Sequence, residues 1–427
     1  MSTRNSNEQT YLKRLNDDVL KPGDILLTTT TATVSKAIRI ATRSDISHAM
    51  VYVQNRSVID ATNEGVQARN TQRLFFEEEC SIYALRLRSG ISEANLNKVI
   101  SYLRRQIGAE YTTKEAIQTL IGGTKQWSKK QFCSRLVAQA FSHANIQLVT
   151  NPNYCSPSEL MNSSLLSPVP NACVKVAEEE IEFWSERDDV PQLMRDAINK
   201  LLDSARKKNS DIQTFEDLNN HLLSHPEQDN YFCQVLIDSG YLSIWKIELD
   251  KNQWQYYLRL MNELPMKEIE KYCLDVLQDQ PGGTNRYIVS RAGYVVLSRQ
   301  YELQYFRKMA ELYEHLAGLH QQRVSVASRW LESKGLLTRP QPVHLVPHTD
   351  EWFSSMEQWD PPKAMMTRAI IEIYGNTNVC SVCGDAPAID YYLDEENRPI
   401  AGPDTLRLCD DCVSIRRAAG EPFISLQ

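Results

Sequence analysis

The order of two short segments constrains this chain more than any other feature. SHAMVYV at 47–53 sets His48 in a run of small and apolar strand formers, and QFCSRLVAQAF at 131–141 sets Cys133 at the head of residues with helical spacing. A thiol beside an imidazole is made nucleophilic, and a helix start favours thiolate over thiol. Any fold that joins the pair must deliver histidine on a strand first and cysteine on a helix about eighty residues later.

The polar turn Gln54-Asn55-Arg56 separates His48–Val53 from a second run, Ser57–Ala61, and the two read as an antiparallel hairpin. A three-residue turn sets residue 53 opposite 57 and therefore His48 opposite Thr62. Asp60 and Glu64 then lie diagonally on the face of His48, and a one-residue slip would carry both carboxylates to the other face. In the second segment Phe132, Leu136, Val137, Ala140 and Phe141 form an apolar helical stripe behind Ser128-Lys129-Lys130-Gln131, which puts Cys133 in the first turn. Unpaired backbone N–H groups there suit a developing oxyanion.

Taken singly, a cysteine on an apolar helix is a small buried hydrophobe and a strand histidine an ordinary core residue. What lifts the pair above that reading is an ordered set of segments: KPGDILL at 21–27, SKAIRIATRSDISHAMVYV at 35–53, VIDATNEGV at 58–66, IGAEY at 107–111, QFCSRLVAQAF and YCSPSEL at 154–160. In this order they resemble the YiiX/YebB-like permuted NlpC-type cysteine hydrolases. The resemblance covers roughly residues 1–175 and implies a circularly permuted papain-like α+β domain with an antiparallel sheet. It further implies Cys133 as nucleophile, His48 as base and Asp60 as the polar residue orienting the imidazole, with Glu64 the fallback. Tyr111, in IGAEY, either lines the substrate pocket or simply packs against a helix. Cys155 ranks below Cys133, because Pro157 follows closely and marks a loop.

A thioester acyl-enzyme can end in hydrolysis of an amide, isopeptide or ester, or in transfer, and a scaffold that has kept the fold without the chemistry is the competing class. CSRLVAQAF lacks the motif of the acyltransferase relatives, so hydrolysis of a peptide, protein or lipid-like acyl substrate leads. No apolar run approaches the ~20 residues of a membrane span, and MSTRNSNEQTYLKRLNDDVL has no signal-type apolar segment. Cys80, Cys155, Cys173, Cys233 and Cys273 are scattered without disulfide-like spacing and read as free buried thiols. A cytoplasmic protein is expected.

Four further cysteines form two C-x-x-C knuckles, Cys380/Cys383 and Cys409/Cys412, separated by the turn residues Asn397, Pro399, Gly402 and Pro403. Four thiolates at this spacing suit one structural Zn2+ with no open coordination position. Residues 346–427 hold fourteen Asp plus Glu against six Lys plus Arg, a net of −8, with Arg416 and Arg417 a small basic spot. Such a surface repels a phosphate backbone, so the ribbon reads as structural or as a protein-recognition module, and nucleic acid is not expected as partner.

Between these ends, VPQLMRDAINKLLDSARKK, TFEDLNNHLLSH and QYFRKMAELYEHLAGLHQQRVSVASRWLESKGLL repeat apolar residues at three- and four-residue intervals. The chain of 427 residues is thus expected as a papain-like domain (1–175), a helical domain (176–345) broken at Pro281-Gly282-Gly283, and a zinc ribbon (346–427) entered through TRPQPVHLVPHTDEW. Trp330, Leu331, Leu336 and Leu337 read as core positions; His221, His225, His315 and His320 read as surface or packing residues.

Overall fold

The computed structural model describes residues 11–29, 46–54, 56–112, 115, 129–278, 286–337, 344–394, 402–418 and 421–426. Residues 35–45 of the second family-like segment, Ser128, Pro281-Gly282-Gly283, 338–343 of the proline-rich stretch, Asn397 and Pro399 lie outside them. The chain divides into two compact units, Met1–Ile244 and Trp245–Gln427, so the helical stretch 176–244 groups with the first.

The first unit is built on a six-stranded antiparallel sheet of order β5-β4-β3-β2-β6-β7: β2 (Ile25–Thr28), β3 (His48–Gln54), β4 (Ser57–Thr62), β5 (Gly65–Asn70), β6 (Ile82–Leu87) and β7 (Leu166–Val169). A small pair, β1 (Lys13–Leu15) with β8 (Cys173–Lys175), stands beside it. The interior of β3 is buried throughout, as a central strand flanked on both sides must be. On one face Ile25, Leu27, Ala49, Val51, Ile59 and Leu85 pack with α1 (Glu93–Arg105) and α2 (Cys133–His143) around Val99, Leu103, Leu136, Val137 and Phe141. On the other, Leu15, Leu26, Met50, Tyr52, Val58 and Ala84 form a second core. Each fully buried aliphatic side chain contributes about 1.5–3 kcal/mol of transfer free energy, which fixes the alternation and with it the strand register.

That register agrees with expectation where it matters. Met50 pairs Asp60 and Val51 pairs Ile59, a ladder whose continuation sets His48 against Thr62. At the turn it differs: Gln54, not Val53, pairs Ser57 across an irregularity between Tyr52 and Gln54. Arg56 there has φ of 58°, and its N–H is held by the Tyr52 hydroxyl, so the irregularity is absorbed at the turn and never reaches His48.

After β8 the chain forms α3 (Glu178–Ser185), α4 (Val190–Arg206), α5 (Phe215–Ser224) and α6 (Asp229–Ser239). Asp189 caps α4, and Thr214 with Asp217 forms a capping box on α5. Arg73 donates to the carbonyls of Trp184, Arg187 and Asp188, tying α3 to the body carrying the sheet.

In the second unit α7 (Met266–Gln278) and the thirty-residue α9 (Gln304–Ser333) enclose a core with Trp330 and Leu331 fully buried, and α8 (Arg286–Tyr301) packs on α9. Leu336 departs from the core expectation: it lies beyond the end of α9 and is 42 % exposed. The C-terminal part joins α10 (Asp350–Trp359), α11 (Pro361–Tyr374) and α12 (Asp410–Ala418) to a three-stranded sheet, β10-β9-β11, of β9 (Ile389–Leu393), β10 (Thr405–Leu408) and β11 (Phe423–Ser425). Among the described residues no helix is long and apolar enough to cross a membrane.

Candidate active site and candidate metal centre

Cys133 is the first residue of α2, and Phe132 ahead of it gives no side-chain cap to the first-turn amide N–H groups. The thiol is 3 % exposed and belongs to the core between sheet and helices. His48 opens β3 and is hydrogen-bonded to the Cys133 side chain. Its Nε2 lies 2.8 Å from Asp60 Oδ2, which leaves Nδ1 as the ring nitrogen for the thiol. Asp60 is fully buried and also accepts a bond from Arg69 Nη1 at 3.2 Å.

The electrostatics follow from these contacts. Burial alone would lower the pKa of His48, but the Asp60 and Cys133 hydrogen bonds and their charges overcome it and raise the imidazole to about 10. Burial would raise Asp60, and the bond to His48, then the charges of His48 and Arg69, hold its carboxyl below the ordinary range. The phenol of Tyr111 is pushed up by burial and then by the proximity of Cys133. Tyr111 forms an isolated bridge with Gln131, two residues before the thiol, so it does stand beside Cys133.

Glu64 takes no part in this cluster. It ends the β4–β5 hairpin, 55 % exposed at its side chain, and pairs with Arg195 Nη1 at 2.6 Å. Of the two carboxylates it is Asp60 that bonds His48, because the turn carries Glu64 off the ladder. Cys155 is buried, donates from Sγ to Ser134 O at 3.3 Å, and has its thiol pushed well up by burial and the nearby carboxylate of Glu159. Pro157 opens a short helix, Pro157–Met161, so the cysteine sits in the loop just before it.

Arg69 was not singled out from the sequence. The signal was available: the Asn63-Glu64-Gly65 turn sets Thr62 against Gly65, Asp60 against Gln67 and Val58 against Arg69. Another unforeseen cation, Arg135, is 1 % exposed and bonded to Glu115 at 2.6 Å and to the carbonyls of Lys130 and Asn153. Buried and paired, it fastens the first turn of α2 to the segment leading into it.

With this geometry in view the comparisons are specific. Residues 19–162 match the model of the permuted papain-like amidase enzyme family, YaeF/YiiX, C92. That stretch is similar to the permuted papain-like amidases of the C92 family. The chain is 24% identical over 185 residues to the probable lipoprotein peptidase YaeF of Escherichia coli (strain K12), covering 35% of this chain and 66% of that relative, just under two thirds of its length. Among solved structures it is similar to the metalloprotein yiiX from Escherichia coli O157:H7, with 20% identity, 35% of this chain and 97% of that one covered, and a TM-score of 0.29. The family match ends at residue 162, ahead of α3–α6.

In the second unit the ligand atoms of Cys380, Cys383, Cys409 and Cys412 all lie within 4.8 Å of one another, with Cys383 Sγ 3.5 Å from both Cys409 Sγ and Cys412 Sγ. Tetrahedral thiolates about 2.3 Å from an ion have edges of about 3.8 Å, so the cluster can hold one metal. Gly384 closes the first knuckle at φ of 84°, where a Cβ would stand 2.2 Å from the Tyr374 ring. Behind it, His348 Nδ1 meets Thr377 O at 2.7 Å and Nε2 meets Ser381 Oγ at 2.8 Å. Ser381 Oγ also accepts from Arg407 N, so its hydroxyl proton is free for Nε2, which assigns His348 as the neutral Nδ1–H tautomer. This buttress was not anticipated; the HTD sequence carries no metal spacing that would have flagged it.

Proposed function

We propose that the chain is a thiol-dependent hydrolase acting through a thioester acyl-enzyme on an amide, isopeptide or ester bond. The observation that carries this is the linked trio: Cys133 on a helix start, His48 hydrogen-bonded to it, and Asp60 bonded to the far imidazole nitrogen. In this reading His48 takes the proton of Cys133 as the sulfur attacks the acyl carbon. Amide N–H groups of the first turn of α2 receive the oxyanion, and the imidazolium returns its proton to the leaving amine or alcohol. A water then adds to the thioester with His48 as base, releasing acid and thiol. Asp60 fixes the ring and stabilises its cationic form, while Tyr111 borders the acyl site.

The substrate class is a peptide, protein or lipid-like acyl group. We assign the four-cysteine cluster one structural Zn2+, with no part in bond breaking, because four thiolates leave no open position. The acidic ribbon is read as a protein-recognition surface. Ten free cysteines fit a reducing, cytoplasmic setting, whereas YaeF is named a lipoprotein peptidase, and cell fractionation distinguishes the two placements.

The test is iodoacetamide labelling at neutral pH with peptide mapping. One thiol, Cys133, should react much faster than the other nine. Uniformly slow labelling would identify a scaffold without the chemistry. Screening peptides, isopeptides and lipid esters on the same preparation names the bond.

A further inference from the structure

The segment from Gly108 to Thr112 is the mechanical link between the two halves of the site. Gly108 N donates to Val66 O at 2.9 Å and Val66 N to Ala109 O at 2.9 Å, which joins it to β5 and hence to the strand bearing Asp60. Thr112 N donates to Gln131 O and Gln131 N to Glu110 O, both at 2.8 Å, which joins it to the residues leading into Cys133. Tyr111 lies within the link. Moving it shifts the histidine side against the cysteine side.

This link is gripped by helices that lie beyond the family-like segment, which ends at residue 162. Arg206, the last residue of α4, donates from Nη2 to Gly108 O at 2.5 Å and to Gln213 O at 3.3 Å. Gln213, 2 % exposed, accepts from Glu110 N at 3.0 Å and donates to Glu110 Oε2 at 3.2 Å. Glu110 Oε2 also meets Lys130 Nζ at 2.9 Å, and Lys129 Nζ meets Asp217 in the capping box of α5 at 2.6 Å. The approach is close as well: a Cβ on Gly108 would lie 2.3 Å from Leu202 Cδ1 and 2.9 Å from Ile198 Cγ2. At the same turn end of the β4–β5 hairpin, Arg195 holds Glu64 and Gln67 Oε1, and Gln67 is the ladder partner of Asp60.

We infer that α4 and the α4–α5 turn are a brace on the active site, with Arg206 and Gln213 as positioning residues that hold the Gly108–Thr112 link and so set the spacing between His48 and Cys133. The inference rests on the hydrolase reading above. It gives the appended helices a role in the reaction of the N-terminal unit, acting through main-chain bonds and touching no reacting atom. Buried polar bonds suit a brace of this kind, since Gln213 satisfies both an amide N–H and a carboxylate, and truncating it leaves the Glu110 N–H without its acceptor while the carboxylate keeps Lys130.

The experiment measures the rate of Cys133 alkylation by iodoacetamide against pH, in the full chain, for wild type, Arg206→Gln, Gln213→Ala and Gln213→Asn. Leu218→Val serves as control, since Leu218 is buried in α5 and makes none of these bonds. Arg206→Gln and Gln213→Ala should label at least about tenfold more slowly and with a displaced pH profile, because small misplacements of reacting groups have large kinetic effects. Leu218→Val should lower Tm and leave rate and profile alone. Should Arg206→Gln fail to fold, Gln213→Asn keeps the amide but shortens its reach, and slowed labelling there supports the brace. Folded variants with the wild-type rate and profile, or a Leu218→Val chain slowed as much, overturn it. A wild-type chain with no fast thiol overturns the hydrolase reading and this inference together, whereas fast wild-type labelling unchanged in the variants overturns the brace alone.

Discussion

The two units place the same side chain in opposite circumstances. In the first, Cys133 stands on a helix start with an imidazole as its polar partner and a phenol alongside. In the second, Cys380, Cys383, Cys409 and Cys412 are each other's neighbours, and every thiol faces three more. Isolation beside a proton acceptor makes a thiol a nucleophile, while mutual crowding makes it a ligand whose lone pairs are committed to an ion. Chemistry is thus decided by what surrounds a cysteine rather than by how deeply it lies, since Cys133 and Cys380 are both buried.

The largest effect that could break this contrast is expected at the single thiol. Cys133→Ala and His48→Ala should each remove fast labelling, and turnover should fall by about 10⁴-fold or more, as when one member of a cooperating catalytic set is removed. Circular dichroism should show both variants folded and metal content unchanged. Retention of fast labelling in Cys133→Ala would transfer the nucleophile elsewhere and dissolve the comparison.

How much of this was legible depends on whether the information was local. The diagonal of His48 and Asp60 followed from the two-residue period of strands and a short turn, and it survived an irregularity at Tyr52/Gln54 because the apolar alternation of Val51, Ile59 and Ala61 pins the ladder. The thiol cluster followed from spacing alone. Arg69 needed one more hairpin to be counted through. The grip of Arg206 and Gln213 on Gly108 and Glu110 could not be read: helical periodicity shows that α4 has an apolar face, but not which body buries it. The expected boundaries near 175 and 345 mark changes of composition, whereas the compact units meet at 244/245.

Metal removal ranks second and probes the other side of the contrast. Cys380→Ser or Cys409→Ser should release about one ion per chain and melt the C-terminal part of the second unit at lower temperature, because thiolate–metal bonds contribute directly to folding. A chelator strong enough to strip wild type should do the same and leave the Cys133 labelling rate intact. Loss of labelling on stripping, with the first unit still folded, would mean that the two cysteine settings are coupled.

A smaller effect is expected from pH. His48 has its pKa raised to about 10, so its contribution to stability is complete below its unfolded value near 6.5 and is lost as pH rises through about 10. In the proposed mechanism the imidazolium that protonates the leaving group is lost over the same range, so the alkaline limb of activity is expected there. Asp60 is depressed, so its contribution is present above the unfolded carboxylate value near 4 and is lost as pH falls through its lower folded value. Asp60→Asn withdraws the first support of the cation; the alkaline limb should move to lower pH and turnover fall about 10²-fold. Glu64→Gln, at an exposed hairpin end, should change neither. An unmoved limb in Asp60→Asn would show that the carboxylate does not set the protonation of the imidazole.

The smallest expected effect falls on the remaining cysteine near the site and tests whether surroundings or proximity decide reactivity. Cys155 lies close enough to α2 for its thiol to donate to Ser134 O, while the Ser134 hydroxyl donates to Cys155 O at 2.6 Å. The pair is a reciprocal latch between the loop and the second residue of α2, and burial with the charge of Glu159 keeps the thiol protonated. Cys155→Ala should leave the rate and pH profile of Cys133 labelling unchanged within about twofold, since the Ser134-to-Cys155 carbonyl bond survives truncation of the thiol. The lost packing and weak hydrogen bond should lower stability by about 1 kcal/mol, read as a shift in the denaturation midpoint. If Cys155→Ala instead slowed labelling as much as His48→Ala, a thiol without an imidazole partner would be governing the reaction, and the contrast between the two cysteine settings would lose its physical basis.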